Sequence, residues 1–558
     1  MQKSFRFSFP FIHLLVQFDQ VILNIRRILN SLRKHEYSSK YLETMYSKVS
    51  SNTSKNQTLM TDPKIILMDY FPIPHWVDIN SMAARVIQER TGSSIAAFGF
   101  MKPFKNTKDL YGAFGVSNHL QIKLNLRQTA KMWKTYLRIS APIALPEDVF
   151  NLELNGIKIG IPIYESILRS GKVTVDTNDI ETYKQIYRGL YQYIYFERLF
   201  VEDRIEAILV SHDCYIGPGL LDHMAHKFGV PSINVNPFEV NLPFEAGQLY
   251  KRFERYPIYF DSLPLKTRSK GVTQAKIDLD LRLSGKIGIK MEYQEQSAFE
   301  TSKLPTQLAR SDNLKVLVAT HDFFDNPQAY GEMRFHDFSI WLNFLDRVAS
   351  ETSYDWYLKC HKDSSIQQRA EIQKFANEHT RFKVVEPTVS FHQLAEEGLD
   401  FVFSCYGSVG HELPLMGINV LNSSYNPHIA YDFNYHAESV ENYKELILNL
   451  RELSLNEIPT SEIYEFFYIH HYLMSPDSFI LASYSDYLKS INGNMQSDSA
   501  IEYLIENHEV INENLRRELL ESLRERRVFS IESILEPEIQ LKYPISGNRS
   551  SFFDKFSN

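Results

Sequence analysis

The sequence predicts an α/β protein with two domains, each built on a doubly wound parallel sheet. Its 558 residues exceed the usual domain size of about 100–200 residues, so two large domains with appendages are expected. Short apolar runs alternate with stretches of helical periodicity in both halves, a pattern typical of strand–helix–strand units. Five such runs follow one another in the second half, which favours a Rossmann-like sheet there.

The first domain is predicted over residues 61–295, after a helical extension and polar linker at residues 1–60. Its first strand is the apolar run KIILMD at Lys64–Asp69. Two later runs, EAILVS at Glu206–Ser211 and PSINV at Pro231–Val235, flank a helical pattern. Strands separated by helices in this way pair in parallel.

The second domain is predicted over residues 314–460, after a polar linker at residues 296–313. Its strand-like runs are Leu314–Ala319, Asp355–Cys360, Phe382–Glu386, Asp400–Cys405 and Ile418–Leu421. Residues 461–558 are predicted as a helical C-terminal region. The charged part of that region, Ser497–Val528, is interpreted as an exposed or self-associating helix.

The composition excludes some classes of partner and site. The net charge is −8, and no basic face of the kind that binds nucleic acid is present, so no nucleic-acid partner is expected. The cysteines Cys214, Cys360 and Cys405 are far apart and form no C-x-x-C pair. Neither a disulfide framework nor a zinc knuckle is therefore expected, and a cytoplasmic location fits best.

The N-terminal segment, residues 5–34, is apolar but interrupted by polar side chains. A membrane span needs about 20 consecutive apolar residues, and a signal peptide needs a small-residue cleavage site, so neither is predicted. An amphipathic helix that ends in Arg26, Arg27, Arg33 and Lys34 could lie on the inner face of an anionic membrane. The alternative is a helix that packs against protein.

Polar side chains follow the strand-like runs of the second domain, and ligands bind at the carboxyl ends of strands in an open parallel sheet. Lysine and histidine suit a phosphate, and a histidine can also act as acid or base. The alternative is a set of solvated loops and Asx turns. The residues at these strand ends are His321, Asp322, Lys359, His361, Ser404, Tyr406, Gly407, Ser408 and Ser423.

The segment Ser404–Gly417, SCYGSVGHELPLMG, combines a strand end, two glycines and a short helical pattern. The glycines allow a tight turn, and Ser408 could cap the next helix, whose N-terminal amides would face a diphosphate. Glu412 could bind ribose or sugar hydroxyls. An ordinary strand–turn–helix connection is the alternative.

In the first domain, His212 and Asp213 follow the strand-like run EAILVS. Either residue could remove a proton from a hydroxyl group, as a general base does. Asp69 and His75, which follow the first strand, are rival candidates.

Three segments of the second half resemble the bacterial glycosyltransferases that build capsule and surface polysaccharides, a group that includes Kdo transferases. They are His321–Leu342, Trp356–Ser364 and Phe403–Ser424, in the same order as in the family and across about a fifth of the chain. The resemblance implies a GT-B fold, in which two Rossmann-like domains face a cleft. It also implies a nucleotide-sugar donor bound by Lys359, His361, Ser408 and Glu412.

Two departures from the family pattern bear on the choice of donor. Cys360 and Lys362 stand where the family commonly has prolines around its histidine, and Tyr406 stands where a small residue is common. The first domain matches the family only generically, so the resemblance transfers neither the acceptor nor the stereochemistry.

The predicted function is transfer of a sugar from a nucleotide-sugar donor to a capsule or lipopolysaccharide glycan, or to its lipid-linked precursor. No metal or other cofactor is expected, because the one D-x-D sequence, Asp278–Asp280, lies in a helical pattern and is interpreted as a solvated face. The alternatives are a sugar-nucleotide 2-epimerase of the same fold and a non-catalytic glycan-assembly scaffold. For Glu412→Ala and His361→Ala, lost turnover is expected with stability within about 1 kcal/mol of the wild type.

Overall fold

The computed structural model describes residues 10–19, 37–51, 64–99, 105–288, 297–300, 304–331, 333–453, 458–475, 480–544 and 549–557. The chain forms two compact units, and the units are not continuous in sequence. Unit 1 comprises Met1–Ile167, Val175–Gln248 and Pro476–Asn558. Unit 2 comprises Leu168–Thr174 and Leu249–Ser475.

Unit 1 contains a six-stranded sheet with the order β3-β2-β1-β6-β7-β8. Its strands pair in parallel except at the β7–β8 edge. A separate antiparallel pair, β4–β5, lies between the third and sixth strands along the chain. The bounds are β1 Ile65–Asp69, β2 Ser94–Gly99, β3 His119–Gln121, β4 Glu153–Leu154, β5 Ile157–Lys158, β6 Ile205–Leu209, β7 Ser232–Val235 and β8 Val240–Asn241.

Unit 2 contains a second six-stranded sheet, with the order β11-β10-β9-β12-β13-β14 and only parallel pairs. In both sheets the order runs third, second, first, fourth, fifth, sixth, which is the Rossmann order. The predicted fold class of two Rossmann-like doubly wound domains is therefore confirmed. The bounds are β9 Lys315–Ala319, β10 Asp355–Lys359, β11 Phe382–Val384, β12 Phe401–Ser404, β13 Asn419–Asn422 and β14 Tyr435–His436.

Helices connect and cover the strands. Along the described chain they are α1 (residues 10–19), α2 Ser39–Ser51, α3 Pro74–Thr91, α4 Lys105–Ala113, α5 Leu126–Ser140, α6 Pro146–Phe150, α7 Gly160–Arg169, α8 Ile180–Val201, α9 Leu220–Phe228, α10 Tyr256–Ser262, α11 Leu265–Leu283, α12 Phe338–Ala349, α13 Ile366–Glu378, α14 Phe391–Glu396, α15 Val409–Glu412, α16 Val440–Leu448, α17 Thr460–Tyr468, α18 Tyr484–Ser490, α19 Asp498–Glu525 and α20 Ser550–Asp554. Local signals set several ends. Pro74 stands in the first turn of α3, and Gly92, in the left-handed conformation, ends that helix.

The C-terminal helix α19 belongs to the core of unit 1. Leu504, Leu515 and Leu519 are fully buried and share one cluster with Met82 and Ile87 of α3. The prediction of an exposed or self-associating helix was therefore wrong. Apolar residues at helical spacing make one face of α19 a packing surface, and the charged residues other than the buried Glu518 lie outside that face.

The boundary between the units differs from the predicted boundary. Unit 2 begins at Leu249, whereas the sequence analysis placed residues up to 295 in the first domain. The reason is that α11 packs on α17 of unit 2, where the Tyr468 ring lies against Gly271. The predicted C-terminal region is also divided, because residues 461–475 lie in unit 2 and the following residues in unit 1.

The predicted N-terminal amphipathic helix is seen at residues 10–19, and residues 20–34 lie outside the described part. Ile12 and Val16 are buried on one face of α1. The His13 ring is hydrogen-bonded to the Tyr187 hydroxyl of α8. Among the described residues, no helix is both long enough and apolar enough to cross a membrane.

Candidate functional site

The strand order reverses once in each sheet, between β9 and β12 in unit 2 and between β1 and β6 in unit 1. Neighbouring connections leave this point in opposite directions, so a crevice opens at the carboxyl ends of the two strands.

At the switch point of unit 2, His321 from the end of β9 meets Ser404 from the end of β12. The Nε2 atom of His321 accepts a hydrogen bond from the Cys405 amide at 3.1 Å and lies 3.3 Å from the Ser404 hydroxyl. The Ser404 oxygen also accepts from the Gly407 amide at 2.9 Å. Burial lowers the pKa of His321 to about 3, so the ring is neutral and holds this turn as an acceptor.

Aromatic rings surround this turn. The His321 ring stacks on Phe338, with 5.0 Å between centroids, and lies 4.4 Å from the Tyr406 ring. The ring centroid of Tyr330 lies 4.9 Å from that of Tyr406. Tyr406 is partly exposed, so its ring offers a surface on which a nucleobase or sugar can stack. Sequence reasoning identified Tyr406 but did not single out Tyr330 and Phe338, although both lie in the segment His321–Leu342 that carries the resemblance.

Glu412 does not face a ligand as predicted. It is 1% exposed, and its Oε1 atom accepts from Nε of Arg282, itself 3% exposed, at 2.8 Å. Its second oxygen, Oε2, accepts from the Ser408 hydroxyl at 3.2 Å. The predicted contact with ribose or sugar hydroxyls is therefore replaced by a buried ion pair. The signal was missed because Arg282 lies 130 residues earlier in the chain.

The predicted helix N-terminus after Ser408 is also different. Helix α15 has only four residues, and the Ser408 side chain makes no capping hydrogen bond. The amides of His411 and Glu412 already bond to the Ser408 carbonyl. Gly410 serves close packing, because a Cβ atom there would lie 2.6 Å from the His428 ring. The amides of His411 and Glu412 are therefore used within the turn, and the predicted diphosphate contact at this helix stays a prediction.

Lys359 and His361, from the end of β10, differ in accessibility. Lys359 is 4% exposed, and its Nζ donates to the Pro387 carbonyl at 2.6 Å. Burial lowers the pKa of Lys359 to about 7, and the charge of Lys362 acts in the same direction. The donor contact predicted for Lys359 stays a prediction, and in this structure its ammonium group is turned to the Pro387 carbonyl. The His361 side chain is 47% exposed and can reach a ligand.

The two remaining predicted contacts of unit 2 are local. Asp322 is exposed, and its carboxylate accepts from the Phe324 amide at 3.0 Å, which is the Asx turn of the alternative interpretation. Ser423 is fully buried and donates to the Cys405 sulfur at 3.2 Å. Ser423 thus ties β13 to the turn after β12 and does not reach solvent.

At the switch point of unit 1, three polar residues form a hydrogen-bonded chain. The amide of Ser211 donates to Asp69 Oδ1 at 3.1 Å, and the Ser211 hydroxyl donates to Oδ2. His212 Nδ1 lies 2.9 Å from the same hydroxyl oxygen. Because that hydroxyl proton points to Asp69, the oxygen accepts from His212 Nδ1–H, and the lone pair of the imidazole is on Nε2.

The His212 ring lies between two aromatic side chains at this edge. Its centroid is 4.9 Å from Phe71 and 6.0 Å from Trp76, the latter nearly parallel. Burial raises the pKa of Asp69 to about 6, although the bonds from Ser211 oppose the shift. The rival His75 is buried, bonded to the Tyr487 hydroxyl at 2.9 Å, and has its pKa lowered by burial to about 3.

Asp213, the other predicted base, is near a buried carboxyl group that sequence reasoning missed. Glu165 of α7 is 3% exposed and accepts from the Tyr215 amide at 3.0 Å. Burial raises the pKa of Glu165 to about 8, and the charge of Asp213 acts in the same direction. Tyr215 has a φ of 66°, which is rare for a tyrosine and opens a π-helical turn at Tyr215–Gly219.

Within the residues that the structure describes, no group of three or more His, Cys, Asp and Glu side chains is placed to hold a metal ion. The D-x-D sequence lies on α11, where Asp278 accepts from the Tyr472 hydroxyl. This hydrogen bond joins Asp278, on the surface of α11, to another residue of unit 2.

Comparison with known proteins gives distant structural likenesses. No protein-family model matches the chain, and no curated protein matches it. KpsC of Thermosulfurimonas dismutans, a beta Kdo 2,4 transferase, is 10% identical over 55% of this chain and 93% of its own, with a TM-score of 0.29. The UDP-GlcNAc 2-epimerase of Neisseria meningitidis is 11% identical over 80% and 100%, with a TM-score of 0.20.

MurG of Acinetobacter baumannii is similar at the same level, with 10% identity over 73% of this chain and 95% of its own and a TM-score of 0.20. Likeness this distant carries no argument about function. The strand order of the two sheets defines the fold, and the contacts at their switch points define the candidate site.

Proposed function

We propose that the protein is a glycosyltransferase that moves a sugar from a nucleotide-sugar donor to a surface polysaccharide or its lipid-linked precursor, without a metal ion. The observation that carries the proposal is that polar residues from separate strand ends meet at both switch points. His321 and Ser404 meet at the switch point of unit 2, and Asp69, Ser211 and His212 meet at that of unit 1. Ligand sites of open α/β sheets lie at such points.

Unit 2 is proposed to hold the donor. The Tyr406 ring would stack on the base or sugar, and the exposed His361 would donate to the leaving phosphate. His321 would keep the turn Ser404–Gly407 in place rather than transfer a proton, since its ring is neutral and accepts from this turn. A hydrogen-bond donor held at a leaving phosphate can stabilise its developing charge without a metal.

Unit 1 is proposed to activate the acceptor. The lone pair on His212 Nε2 would accept the proton of the attacking sugar hydroxyl, and the Nδ1–H bond to Ser211 would hold the ring in that tautomer. The partly exposed rings of Phe71 and Trp76 beside His212 offer apolar faces for a sugar ring. The acceptor class, a glycan or its lipid-linked form, follows from the resemblance described above and belongs to the proposal.

The test is a panel of CMP-, UDP-, GDP- and dTDP-sugars incubated with the full chain, with and without glycan acceptors, and analysed by mass spectrometry. The expected result is glycosylated acceptor with one class of donor, unchanged by a chelator. An epimerised nucleotide sugar formed without acceptor would establish the alternative enzyme. A folded protein that binds no nucleotide sugar would overturn both enzymes in favour of the scaffold.

The matched variants are His361→Ala and His379→Ala. His379 lies at the end of α13 in the same unit, away from the switch point, and pairs with Asp346. A weaker affinity for the donor in the first variant, with wild-type affinity in the second, supports the assigned phosphate contact. Equal affinities in both variants would remove His361 from the site.

A further inference from the structure

Helix α5 presents two different faces. Met132, Tyr136 and Ile139 are buried on one face, by which the helix packs on α8 of unit 1. On an adjacent face, Leu126 is 91% exposed and Leu137 is 51% exposed. Trp133, 47% exposed, lies between them at a spacing of seven and four residues, so the three side chains form one stripe along the helix.

Four cations run along the same helix beside this apolar stripe. Arg127, Lys131, Lys134 and Arg138 recur at helical spacing, all four exposed, and α5 contains no acidic residue. The whole chain has a net charge of −8, so this concentration of positive charge is local. An exposed Trp and two exposed Leu bordered by Lys and Arg is the pattern of a helix that lies in the interface of an anionic bilayer.

A cavity of about 270 Å³ opens beside the cationic face. Lys131, Lys134 and Arg138 line it together with Asn155 and Tyr193. Lys131 also pairs with Glu197 on the wall of the cavity, which holds one side of it in place. The amide of Asn155 donates to the Tyr193 hydroxyl and to Glu197 on the same wall. Lys134 and Arg138 therefore supply the charge that matches a lipid phosphate.

Helix α1, in the same unit, exposes a second apolar stripe. Phe11 is 45%, Leu14 66% and Phe18 59% exposed, while the other face of α1 is buried. α1 contacts α8 through the His13–Tyr187 bond and the pairing of Asp19 with Lys184. α8 therefore supports two helices that each present large apolar side chains to solvent.

We propose that α5 docks unit 1 onto an anionic lipid bilayer. Leu126, Trp133 and Leu137 enter the boundary between headgroups and acyl chains, and the cations beside them bind lipid phosphates. The charge of α5 favours an anionic bilayer over a second copy of this chain as the partner of this face. A second copy docked on this face would bring two sets of cations into one interface, and α5 has no acid to pair with them.

The experiment uses the full chain and vesicles of phosphatidylcholine with or without phosphatidylglycerol, separated by flotation. The expected result is binding to the anionic vesicles only, weakened by added salt because headgroup attraction is screened. Trp133 provides an internal probe, since Trp341 and Trp356 are fully buried and the contribution of the partly exposed Trp76 is given by the Trp133→Phe variant. A blue shift of emission on binding, absent in Trp133→Phe, places α5 at the bilayer.

Two variants separate the apolar and charged contributions. Leu126→Ser/Trp133→Ser/Leu137→Ser and Arg127→Glu/Lys134→Glu/Arg138→Glu should each lower the partition coefficient about tenfold or more. The matched controls, which also change exposed residues, are Leu265→Ser/Ile366→Ser and Lys374→Glu/Arg381→Glu. These controls should bind like the wild type.

Equal binding by the α5 variants and their controls would overturn the proposal, as would equal binding to neutral and anionic vesicles. A wild type that ignores vesicles but loses a dimeric mass in the α5 variants would identify a protein interface instead. None of these measurements depends on catalysis, so they succeed or fail independently of the proposed glycosyl transfer.

Discussion

At the scale of single residues, the Ser211 hydroxyl donates to Asp69 and accepts from His212, so it fixes the tautomer of the imidazole. Replacing Ser211 by alanine removes the acceptor for Nδ1–H and leaves the imidazole free to take the other tautomer. General-base catalysis contributes about 10²–10⁴-fold, so we expect kcat in Ser211→Ala to fall within that range. Donor affinity should stay at the wild-type value, because Ser211 lies in the other unit. Rates and calorimetric affinities measure the two effects.

Ser211→Thr is the matched control for this prediction, because it keeps the hydroxyl group. It should recover most of the rate. A Ser211→Ala enzyme with an unchanged kcat and an unchanged pH profile would show that His212 acts without this hydrogen bond.

The buried ion pair Arg282–Glu412 is expected to matter for stability. Glu412→Gln keeps the shape but leaves the Arg282 charge without its partner, and breaking a buried pair costs about 3–5 kcal/mol. The free energy of unfolding in urea should fall by that amount. The exposed Glu378→Gln of the same unit should change it by less than about 0.5 kcal/mol. If the free energy of unfolding falls no more in Glu412→Gln than in Glu378→Gln, water takes the place of the carboxylate beside Arg282.

These residues show what a sequence can and cannot reveal about a site. His321 and Ser404 were predicted to share a sheet edge because each follows an apolar strand, and they do. Lys359 and Glu412 follow the same logic, yet their side chains turn inward to Pro387 and Arg282. The position of a residue along a strand follows from periodicity, whereas the direction of its side chain depends on distant partners.

At the scale of elements, α11 and α17 approach closely because Gly271 has no side chain. A Cβ atom at that position would lie 2.6 Å from the Tyr468 ring. Gly271→Ala should therefore destabilise the protein by about 1–3 kcal/mol, as overpacking does, despite the better helix propensity of alanine. Thermal unfolding measures the change.

The control for this contact is Gly112→Ala in α4, where no atom lies within 4 Å of the added Cβ. That variant should gain up to about 1 kcal/mol from helix propensity alone. Equal changes in both variants would show that Tyr468 moves aside without cost.

The π-helical turn Tyr215–Gly219 is tied to α7 by Glu165, and this contact has a pH signature. The pKa of Glu165 is raised from 4.5 to about 8 by burial. The folded protein therefore keeps a proton that the unfolded chain releases, and stability falls as pH rises from about 4.5 to 8. The slope from this group is at most about 1.4 kcal/mol per pH unit.

Glu165→Gln should remove this part of the pH dependence while it keeps an oxygen for the Tyr215 amide. The exposed Glu153→Gln of unit 1 should retain the wild-type profile. Urea unfolding at several pH values measures both. Parallel profiles for wild type and Glu165→Gln would mean that Glu165 is ionised in the folded protein at neutral pH.

Most elements were predictable because their signals are local. The apolar runs KIILMD and PSINV became β1 and β7. The charged helix α19 was assigned the wrong environment, since its apolar stripe is diluted by Glu and Arg. Only the presence of α3 shows which face of α19 is covered.

At the scale of the whole molecule, the chain leaves unit 1 at Gln248 and returns to it at Pro476. Sequence analysis placed domain boundaries at polar linkers, which is reasonable when each domain is one continuous segment. A C-terminal helix that packs into the first unit, as α19 does, has no such linker to identify it, because its partners in the core are hundreds of residues away.

This return makes unit 1 dependent on the end of the chain. A protein that stops at residue 475 lacks Leu504, Leu515 and Leu519, which are fully buried against Met82 and Ile87. Each buried leucine contributes about 2–5 kcal/mol, and a whole domain is stable by about 5–15 kcal/mol. We therefore expect unit 1 of the truncated protein to be unfolded, and limited proteolysis should cleave it throughout residues 64–248.

Supplying residues 480–557 as a separate chain in the same cells should restore protection, because the packing surface is then complete. Protection of residues 64–248 without that segment would show that α19 is dispensable for the fold of unit 1.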